Sequence, residues 1–397
     1  MATERAQAAS PNARILVVDD VEDNRDLLTR RLRREGYIDI ALAADGEEAL
    51  AMIGAGNFDL VLLDVMMPKC DGYQVLERLR ADGRLLDLPV IVISALDEID
   101  SVVRCIQLGA VDYLPKPFNA TLLRARVGAS LEQKALRDTL RAHLTRLEQE
   151  LDAARKLQMS MVPIDFPQAT PEQPIEIFAA MEPAREVGGD LYDFFPTIDG
   201  RLAFAIGDVS GKGAPAAMHM ARAKNLLRVV SGLMQAEGGG VASPAAIVAR
   251  VNQELCENND TMMFVTLIFG IIDPKTGIVA FCNAGHDPPY RLGATGVAAV
   301  EAPQGMALGI MPTWAYETAE MTLAPGEALY LFTDGITEAM DVADALFGKE
   351  RLEAALLGLA SGPLDRVIAA VMEAVTGFAQ GCAQADDITS LAIRRLA

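Results

Sequence analysis

Residues 14–20 read RILVVDD, a short apolar run that ends in two aspartates. Four further apolar runs follow, separated by stretches with helical periodicity: IDIAL (38–42), DLVLL (59–63), PVIVI (89–93) and DYL (112–114). Continuous apolar strands that alternate with helices are typical of a parallel sheet covered on both faces. The sequence therefore predicts a doubly wound α/β domain over residues 13–130.

Polar residues stand where these strands end. Asp19 and Asp20 close the first strand, Asp64 the third, Ser94 the fourth and Lys116 the fifth. Because the carboxyl ends of parallel strands lie at one edge of the sheet, we expect these side chains to meet there. Two carboxylates about 4 Å apart repel by roughly 4 kcal/mol at an effective dielectric constant of 20. Three of them together predict a bound cation, and such oxygen ligands suit Mg²⁺.

The full pattern DD…LLDVMMP…VISA…DYLPKPF resembles the CheY-like receiver domains of bacterial response regulators, which have a flavodoxin-like fold. The acidic positions show no departure from the family pattern. The resemblance implies that Asp64 accepts a phosphoryl group from a histidine kinase or a histidine phosphotransfer protein. It also implies a Mg²⁺ site formed by the carboxylates of Asp19, Asp20 and Asp64 and the backbone carbonyl of Met66.

The same resemblance implies roles for three residues at the ends of the fourth and fifth strands. Ser94 is expected to supply the switch hydroxyl, and Lys116 is expected to pair with the phosphoryl oxygens. A cis peptide bond is expected between Lys116 and Pro117. Tyr113 is expected to be the aromatic that rotates on phosphorylation, and the alternative is that it packs in the core.

Residues 119–161 have a different character. No Gly follows Gly128 and no Pro precedes Pro163 in this stretch, and leucines recur at positions 136, 140, 144, 147 and 151. With Leu140 as a heptad d position, one seam contains Leu144, Leu147, Leu151, Ala154, Gln158 and Met161. At 1.5 Å per residue this helix would be about 60 Å long. We expect a homodimeric coiled coil here, and the alternative is a linker helix packed on its own domains.

Residues 162–397 form a second compositional region. Turns such as DPKTG and PGE separate six strand-like pieces: IEIFAAM (175–181), LAFAIGDV (202–209), FVTLIFGIID (264–273), IVAFCNAG (278–285), ALYLFTD (328–334) and DITSLAI (387–393). Two helical stretches, at about 214–234 and 243–257, interrupt them. Because strands dominate and the helices arrive as a pair, the pattern predicts an α+β sandwich.

Acidic residues of this region lie in tight glycine contexts. They occur in VGGDLYDFF (Asp190), IGDVSGKG (Asp208), FTDGITE (Asp334) and ADDITSL (Asp386 and Asp387). Glycine allows the backbone to approach closely, so a carbonyl can serve as an extra ligand. Four carboxylates that converge from strand ends would bind two divalent ions about 4 Å apart, which clamp a phosphoryl oxygen and acidify a bridging water. This chemistry requires neither a Ser/His/Asp triad nor a cysteine nucleophile, and neither is evident.

These motifs occur in order over about residues 154–395, together with ARKLQMSMVP, NAGHDPP and ALFGKERL. The stretch is similar to PPM-type serine/threonine phosphatases of the bacterial sigma-factor-regulating class, the sporulation-phosphatase-like branch. The similarity implies a β-sandwich of two stacked antiparallel sheets flanked by helices, with two Mn²⁺ or Mg²⁺ ions. The implied metal ligands are Asp190, Asp208, Asp334, Asp386 and the Val209 carbonyl.

Three further residues have both a functional and a structural interpretation. Asp387 could be a metal ligand, or it could cap a turn, since the first aspartate of DDIT matches the usual ligand. His286, in the NAGH motif, is expected to be structural rather than close to the substrate. Lys212 lies beside the metal loop and could contact phosphate, although such residues are more often merely exposed.

The bulk composition limits the class of partner and compartment. Lys+Arg of 35 against Asp+Glu of 55 gives a net charge of -20, so neither nucleic acid nor an anionic membrane is expected as a partner. The five scattered cysteines form no CxxC pair, as expected of reduced thiols in a cytosol. The longest apolar run, MMFVTLIFGII (262–272), is too short to span a bilayer of roughly 30 Å as a helix. We therefore expect a soluble, cytoplasmic protein.

Two functions are compatible with this sequence. In the first, phosphorylation of Asp64 controls metal-dependent dephosphorylation of phosphoserine or phosphothreonine on a protein, which by resemblance is an anti-sigma-factor antagonist. In the second, the chain is a catalytically weak adaptor that binds a sigma factor or an anti-sigma partner in a phosphorylation-dependent way. Replacement of a metal aspartate would favour the adaptor, and all four aspartates are present. Whether phosphorylation activates or inhibits is left open.

Overall fold

A computed structural model of the chain describes residues 12–95, 99–238, 242–294, 296–357, 359 and 362–396. The chain forms two compact units, which divide between Leu147 and Glu148. This division falls within the helical segment predicted over residues 119–161. Among the helices of the described ranges, none is both long enough and apolar enough to cross a membrane.

The first unit contains a five-stranded parallel sheet. In the spatial order β2-β1-β3-β4-β5, its strands are β1 (Ile15–Val18), β2 (Ile40–Ala43), β3 (Leu60–Asp64), β4 (Val90–Ala95) and β5 (Asp112–Lys116). The helices between them are α1 (Glu22–Arg34), α2 (Gly46–Ala55), α3 (Gly72–Ala81) and α4 (Ile99–Leu108), with a short 3-10 helix at Arg84–Leu86. Leu16 and Val18 pack into one apolar cluster, and Ile15 and Val17 into another. Because alternate residues of a strand point to opposite faces, both faces of the sheet are covered, which confirms the predicted doubly wound domain.

A single helix, α5 (Ala120–Met161), contains 42 residues. Its first turns contribute Leu123, Val127 and Leu131 to an apolar cluster of the first unit. Near its other end, Met159 packs against an apolar cluster of the second unit. Four leucines between these points are more than half exposed: Leu136, Leu140, Leu144 and Leu147. The predicted long helical linker is therefore confirmed.

The second unit contains two antiparallel five-stranded sheets. The first has the order β13-β10-β9-β8-β7 and comprises β7 (Leu191–Pro196), β8 (Leu202–Val209), β9 (Val265–Ile272), β10 (Ile278–Ala284) and β13 (Ala319–Thr322). The second has the order β12-β11-β14-β15-β6 and comprises β6 (Ile175–Glu182), β11 (Tyr290–Gly293), β12 (Gly296–Ala299), β14 (Ala328–Phe332) and β15 (Ile388–Arg395). The first and last strands of the unit, β6 and β15, therefore pair directly.

Alternating side chains of these strands give the unit four layers. Phe204 and Ile206 of β8 lie in the cluster between the two sheets, with Leu391 of β15. Ala203 and Ala205 instead face the cluster beneath α6 (Ala214–Gly238) and α7 (Pro244–Cys256). A third cluster joins the other sheet to α9 (Gly348–Leu357) and α10 (Leu364–Ala379). The predicted helix-flanked β-sandwich is confirmed.

The structure contains more elements than the sequence pattern predicted. Strands β7, β11, β12 and β13 lie outside the six predicted pieces, and the last three have only four residues each, too few to show an alternating pattern. The expectation of two helices in this unit is incomplete, because α9, α10 and a four-residue helix α8 (Asp334–Thr337) are also present. In α10 the buried residues Val367, Val371 and Val375 recur at helical spacing, so the signal for this helix was in the sequence.

Candidate functional site

Three carboxylates meet at the carboxyl edge of the parallel sheet. One oxygen each of Asp19, Asp20 and Asp64 lies within 4.8 Å of the others. Asp19 and Asp64 are buried and Asp20 is exposed. The Asn24 amide nitrogen donates to both oxygens of Asp19 at 3.0 Å, and the Val21 backbone N–H donates to Oδ1 at 2.9 Å. These contacts fix the Asp19 carboxylate at the end of β1.

Lys116 supplies the positive charge of this cluster. Its Nζ lies 3.1 Å from Asp19 Oδ2 and 2.9 Å from Asp64 Oδ2. Burial raises the pKa of the Asp64 carboxyl, an effect that the hydrogen bond from Lys116 partly offsets. Burial alone would lower the pKa of Lys116, but the hydrogen bond and charge of Asp64 outweigh it and raise that pKa. The pKa values of Asp64 and Lys116 therefore depend on each other and on the other charged side chains at this edge of the sheet.

The remaining predicted receiver residues surround the cluster. Ser94 is buried near the end of β4, one strand away from Asp64. The Lys116–Pro117 peptide bond is cis. The Tyr113 side chain is 37% exposed, with the Arg126 guanidinium 5.1 Å from its ring centroid, so it does not pack in the core. Met66 follows Asp64 by two residues with an exposed side chain.

The donor set at this edge fits a hard divalent cation. Three carboxylate oxygens within 4.8 Å of one another, one of them solvent-exposed, match the oxygen ligands and open water positions that Mg²⁺ takes. The Asp19, Asp20 and Asp64 side chains would hold the ion. Lys116 Nζ lies within 3.1 Å of both Asp19 and Asp64. A phosphoryl group placed on Asp64 would therefore be close to the ammonium group as well as to the bound cation.

In the second unit, two threonine hydroxyls hold the buried carboxylate of Asp190. Thr333 Oγ1 donates to Asp190 Oδ2 at 2.8 Å, and Thr389 Oγ1 donates to the same oxygen at 2.5 Å. Asp190 precedes β7 in one sheet. Thr333 follows β14 and Thr389 lies at the start of β15, both in the other sheet. The hydroxyls therefore orient a carboxylate across the sandwich, and its second oxygen keeps its acceptor capacity for a cation.

The other predicted ligands act electrostatically on one another. Burial raises the pKa of Asp190 well above its usual range, and the charge of Asp208 adds to this. Burial, followed by the charges of Asp334 and Asp386, raises the pKa of Asp208 to about 7. Burial, followed by the charges of Glu338 and Asp386, raises the pKa of Asp334 to about 6. Each of these pKa values is therefore raised in part by the charge of another predicted ligand.

The glycine before Asp190 permits a close approach to the GDVSG loop. A Cβ added at Gly189 would stand 2.8 Å from the Val209 carbonyl oxygen and 3.4 Å from Asp208 Oδ1. Only a residue without a side chain fits between these two oxygens without displacing one of them. This observation supports the fit of the site to metal, since the Val209 carbonyl oxygen and an Asp208 carboxylate oxygen both lie close to the residue that precedes Asp190.

Asp387 contacts backbone donors rather than the other carboxylates. Its Oδ1 accepts from the Ala184 backbone N–H at 2.7 Å, and its Oδ2 accepts from Gly189 N–H at 2.6 Å and Asp190 N–H at 3.3 Å. Both oxygens are thus used to hold the loop that carries Asp190. This favours the interpretation of Asp387 as a residue that caps a turn.

Lys212 and His286 lie beside these carboxylates in different ways. Lys212 Nζ is 2.9 Å from Asp386 Oδ2 and also donates to the Ala385 carbonyl. His286 is buried, with Nε2 2.9 Å from the Phe332 carbonyl oxygen and Nδ1 2.9 Å from Thr266 Oγ1. Since a carbonyl can only accept, Nε2 carries the hydrogen and Nδ1 accepts from the threonine. This bonding favours a structural role for His286.

A cavity of about 150 Å³ opens beside Asp208 and Asp334. The other residues that line it are Thr266, Gly285, His286, Asp287 and Gln304. Asp287 and the two threonines that hold Asp190 were missed in the sequence. The sequence indicates the two threonines only by their position beside acidic motifs. Thr333 immediately precedes Asp334, and Thr389 follows the DDI triplet.

Comparison with protein families matches both units. The Stage II sporulation protein E (SpoIIE) family model matches residues 198–396, which is half of the chain. The response regulator receiver domain model matches residues 15–128.

Curated relatives share parts of the chain. Protein IcfG of Synechocystis sp. is 34% identical over 266 residues, which cover 62% of this chain and 41% of IcfG. Response regulator MprA of Mycobacterium ulcerans is 46% identical over 127 residues, which cover 32% of this chain and 53% of MprA. The chain thus spans about half, or less, of the length of these relatives.

A solved structure shares the fold of the second unit. The SiaA-PP2C domain of Pseudomonas aeruginosa superimposes with a TM-score of 0.54 at 24% identity, covering 64% of this chain and 98% of that domain. At this identity the likeness concerns the fold alone. Together with the two family matches, it places the site residues in a PP2C-type sandwich that accompanies a receiver. The chain therefore belongs to the SpoIIE family and carries a response regulator receiver domain at residues 15–128.

Proposed function

We propose that this chain is a response regulator in which phosphorylation of Asp64 controls a metal-dependent protein serine/threonine phosphatase. The observation that carries the proposal is the proximity of acidic residues from both sheets of the second unit. Asp208 and Asp334 line one cavity, and the charges of Asp334 and Asp386 act on Asp208. The charge of Asp208 also acts on Asp190. Such a cluster without a nucleophilic side chain suits hydrolysis by an activated water.

The metal centre would be held by residues of four chain segments. The proposed ligands are Asp190, Asp208, Asp334, Asp386 and the Val209 carbonyl, and the ions would be two Mn²⁺ or Mg²⁺. When bound, such ions polarise a phosphoryl oxygen and generate hydroxide from water near neutral pH. The chain itself contributes orientation: Thr333 and Thr389 hold Asp190, and Asp387 holds the backbone of Gly189.

The receiver would supply the regulatory input. The P–N bond of a phosphohistidine on a histidine kinase or phosphotransfer protein breaks, and an O–P bond to Asp64 forms. Mg²⁺ at Asp19, Asp20, Asp64 and the Met66 carbonyl would neutralise the incoming charge, and Lys116 would pair with a phosphoryl oxygen. Ser94 and Tyr113 are the residues proposed to respond to the phosphoryl group.

The proposed client is a phosphorylated anti-sigma-factor antagonist or a similar cytoplasmic phosphoprotein. Membership of the SpoIIE family supports a phosphoprotein substrate. A protein phosphate carries a charge of about -1.5 to -2, which complements a centre of two divalent cations.

We also propose that two chains pair through α5. Leu140, Leu144 and Leu147 follow the predicted heptad seam and are 61%, 52% and 55% exposed. A partner helix would cover these side chains by knobs-into-holes packing. Sedimentation equilibrium of the wild type and of a Leu144→Glu, Leu147→Glu variant tests this: a monomeric wild type would contradict it.

The phosphatase proposal is tested with the full chain and a phosphorylated candidate antagonist. We expect Mn²⁺-dependent release of inorganic phosphate, lost in Asp208→Ala and in Asp334→Ala. Repeating the assay with an acyl-phosphate donor that modifies Asp64 determines whether phosphorylation activates or inhibits. Unchanged turnover in either alanine variant would refute the proposal.

One observation favours the adaptor alternative. Lys212 Nζ lies 2.9 Å from Asp386 Oδ2, so a protein cation competes for one proposed ligand. Calorimetry of the full chain with Mn²⁺ discriminates the two functions. An enzyme is expected to bind three ions, of which Asp208→Asn removes those of the second unit, whereas an adaptor is expected to bind the receiver ion alone.

A further inference from the structure

Two motifs that are remote in sequence meet beside the cavity of the second unit. Asp287 belongs to NAGHDPP and Lys349 to ALFGKERL. Lys349 Nζ lies 2.7 Å from Asp287 Oδ1, and the two side chains are 55% and 25% exposed, respectively. The lysine therefore reaches from the start of α9 to a residue of the cavity wall.

A second contact fixes α9 at this position. The Tyr290 hydroxyl donates to Glu353 Oε1 at 2.9 Å. Glu353 lies four residues after Lys349, so both side chains project from the same face of α9. Asp287 and Tyr290 belong to one short segment before and at the start of β11. These two contacts hold the backbone of Lys349 at a fixed distance from the cavity.

The charge of the cavity wall requires a cation. Asp287 lines the cavity together with Asp208 and Asp334, so its wall carries three carboxylates. A phosphomonoester with a charge of about -1.5 to -2 is repelled by such a wall unless cations offset it. Two ions held by the proposed ligands would account for Asp208 and Asp334. Lys349 offsets the remaining carboxylate, Asp287.

Lys349 also retains donors for a ligand. A lysine ammonium has three N–H donors, and among the described residues the structure gives Lys349 one acceptor, Asp287 Oδ1. Lys212, the other lysine beside the site, donates to the Ala385 carbonyl and pairs with Asp386, a proposed metal ligand. Lys349 is therefore better placed than Lys212 to bind an anion that enters the cavity.

We propose that Lys349 binds a phosphoryl oxygen of the phosphoserine or phosphothreonine substrate, and that Asp287 positions its ammonium group for this contact. This inference rests on the proposed phosphatase function. It adds a substrate-binding residue from outside the metal-ligand set, and it assigns a task to the ALFGKERL segment. An ammonium that meets the phosphoryl group in the ground state acts on substrate affinity more than on the chemical step.

The test uses the full chain, Mn²⁺ and a phosphothreonine protein substrate. Because a hydrogen bond to a charged group is lost, Lys349→Ala is expected to raise KM about ten- to a hundredfold and to change kcat much less. Lys349→Arg is expected to restore most of the affinity. Asp287→Asn keeps the size of the side chain and is expected to raise KM by only about threefold. The inhibition constant of inorganic phosphate is expected to rise in parallel with KM.

Lys275→Ala is the matched control. Lys275 is an exposed lysine in the turn after β9. Thr266, which lines the cavity, is near the start of β9, whereas Lys275 follows the other end of this strand. The strand separates the two ends by about 20 Å. The control changes net charge by the same amount and is expected to leave KM and the phosphate inhibition constant unchanged. An equal rise of KM in Lys275→Ala and Lys349→Ala would overturn the proposal, because the effect would then be one of net charge.

Two other outcomes are decisive. If Lys349→Ala lowers the melting temperature but leaves KM and the phosphate inhibition constant unchanged, the residue is structural and the proposal is wrong. If the wild type shows no turnover, the phosphatase function fails, and calorimetry with inorganic phosphate in the presence of Mn²⁺ still decides the role of Lys349. Binding that weakens about tenfold or more in Lys349→Ala supports the phosphate contact, whereas equal or undetectable binding refutes it.

Discussion

The two acidic clusters of this chain differ in how the protein itself compensates their charge. In the receiver, Asp19 and Asp64 share the ammonium group of Lys116 at 3.1 and 2.9 Å. In the second unit, Asp190 is held by two neutral threonine hydroxyls. Lys116 offsets two receiver carboxylates, and in the second cluster Lys212 offsets Asp386. The hydroxyl donors add no positive charge to the buried Asp190, so this carboxylate depends more on divalent cations for neutrality.

The clusters also differ in topology. The receiver carboxylates lie at the carboxyl ends of β1 and β3, which are neighbours in one sheet. The carboxylates of the second unit come from both sheets, since Asp208 lies in β8 whereas Asp334 follows β14. The first cluster forms when one sheet forms, but the second requires two sheets to pack correctly. Losses of stability in the sandwich should therefore affect the second site more.

The largest expected effect is the complete loss of phosphoryl labelling when the receiver cluster is altered. Asp64→Asn removes the carboxylate that we propose accepts the phosphoryl group, so labelling of the chain by radioactive acetyl phosphate should be abolished. Asp82→Asn, on the surface beyond α3, is the control and should be labelled like the wild type. Labelling of Asp64→Asn at the level of the control would mean that another residue is the acceptor.

A loss of roughly a thousandfold in phosphatase turnover is expected for Asp208→Asn, because Asp208 is a proposed metal ligand and such a ligand contributes several kcal/mol to transition-state stabilisation. Phosphate release from a phosphoprotein measures the effect. Labelling by acetyl phosphate should be retained in this variant, which shows that the receiver is intact. If turnover fell by less than about tenfold, the second cluster would not be the catalytic centre.

The third prediction concerns the buried imidazole ring of His286, beside the second cluster. Burial lowers the pKa of His286 to about 4, below its ordinary value of 6.5. Between these two pH values the unfolded chain binds a proton that the native ring does not. The contribution of His286 to the stability of the second unit should therefore fall with decreasing pH, by about 2 kcal/mol from pH 7 to pH 5, whereas the raised pKa values of Asp208 and Asp334 act in the opposite direction.

Urea unfolding at both pH values measures this contribution. The change in unfolding free energy from pH 7 to pH 5 should be less destabilising by about 2 kcal/mol in His286→Gln than in the wild type. In His143→Gln, whose ring is exposed on α5, the change should equal that of the wild type. An identical pH dependence in the wild type and His286→Gln would show that the histidine is not buried in its neutral form.

The smallest effect is expected for a hydroxyl behind the cluster. Thr389→Val keeps the shape of the side chain but removes the donor to Asp190, so Mn²⁺ affinity should fall about tenfold. Calorimetric titration with Mn²⁺ detects this change. Thr376→Val, which removes a hydroxyl bonded to the Met372 carbonyl of α10, is the control. Unchanged affinity in Thr389→Val would mean that Asp190 needs no hydroxyl to bind metal.

The receiver was the more predictable unit because its strands are continuous apolar runs and its polar site residues directly follow them. Helix α5 was equally readable, since it lacks interior Pro and has regular leucines. The strands of four residues in the second unit were not readable, because so few positions cannot show a period. Helix α10 could have been predicted from its buried valines.

The aspartates of the second site could be selected from their glycine contexts, but their supporting residues could not. The bond between Thr333 and Asp190 joins positions 143 residues apart, and that between Thr389 and Asp190 joins positions 199 apart. The Asp287–Lys349 pair likewise depends on the packing of α9 beside β11. Such contacts follow from which strands and helices are neighbours, and local sequence does not encode this order.

The pairing of β6 with β15 has a consequence for the synthesis of this protein. The loop at Gly189 is held by Asp387, which is made 198 residues later. Because chains emerge from the ribosome in order and their N-terminal domains fold first, a nascent chain holds a complete receiver long before its hydrolytic loop is fastened. A translation product that stops before Asp386 is therefore expected to accept phosphoryl groups on its receiver but to lack phosphatase activity.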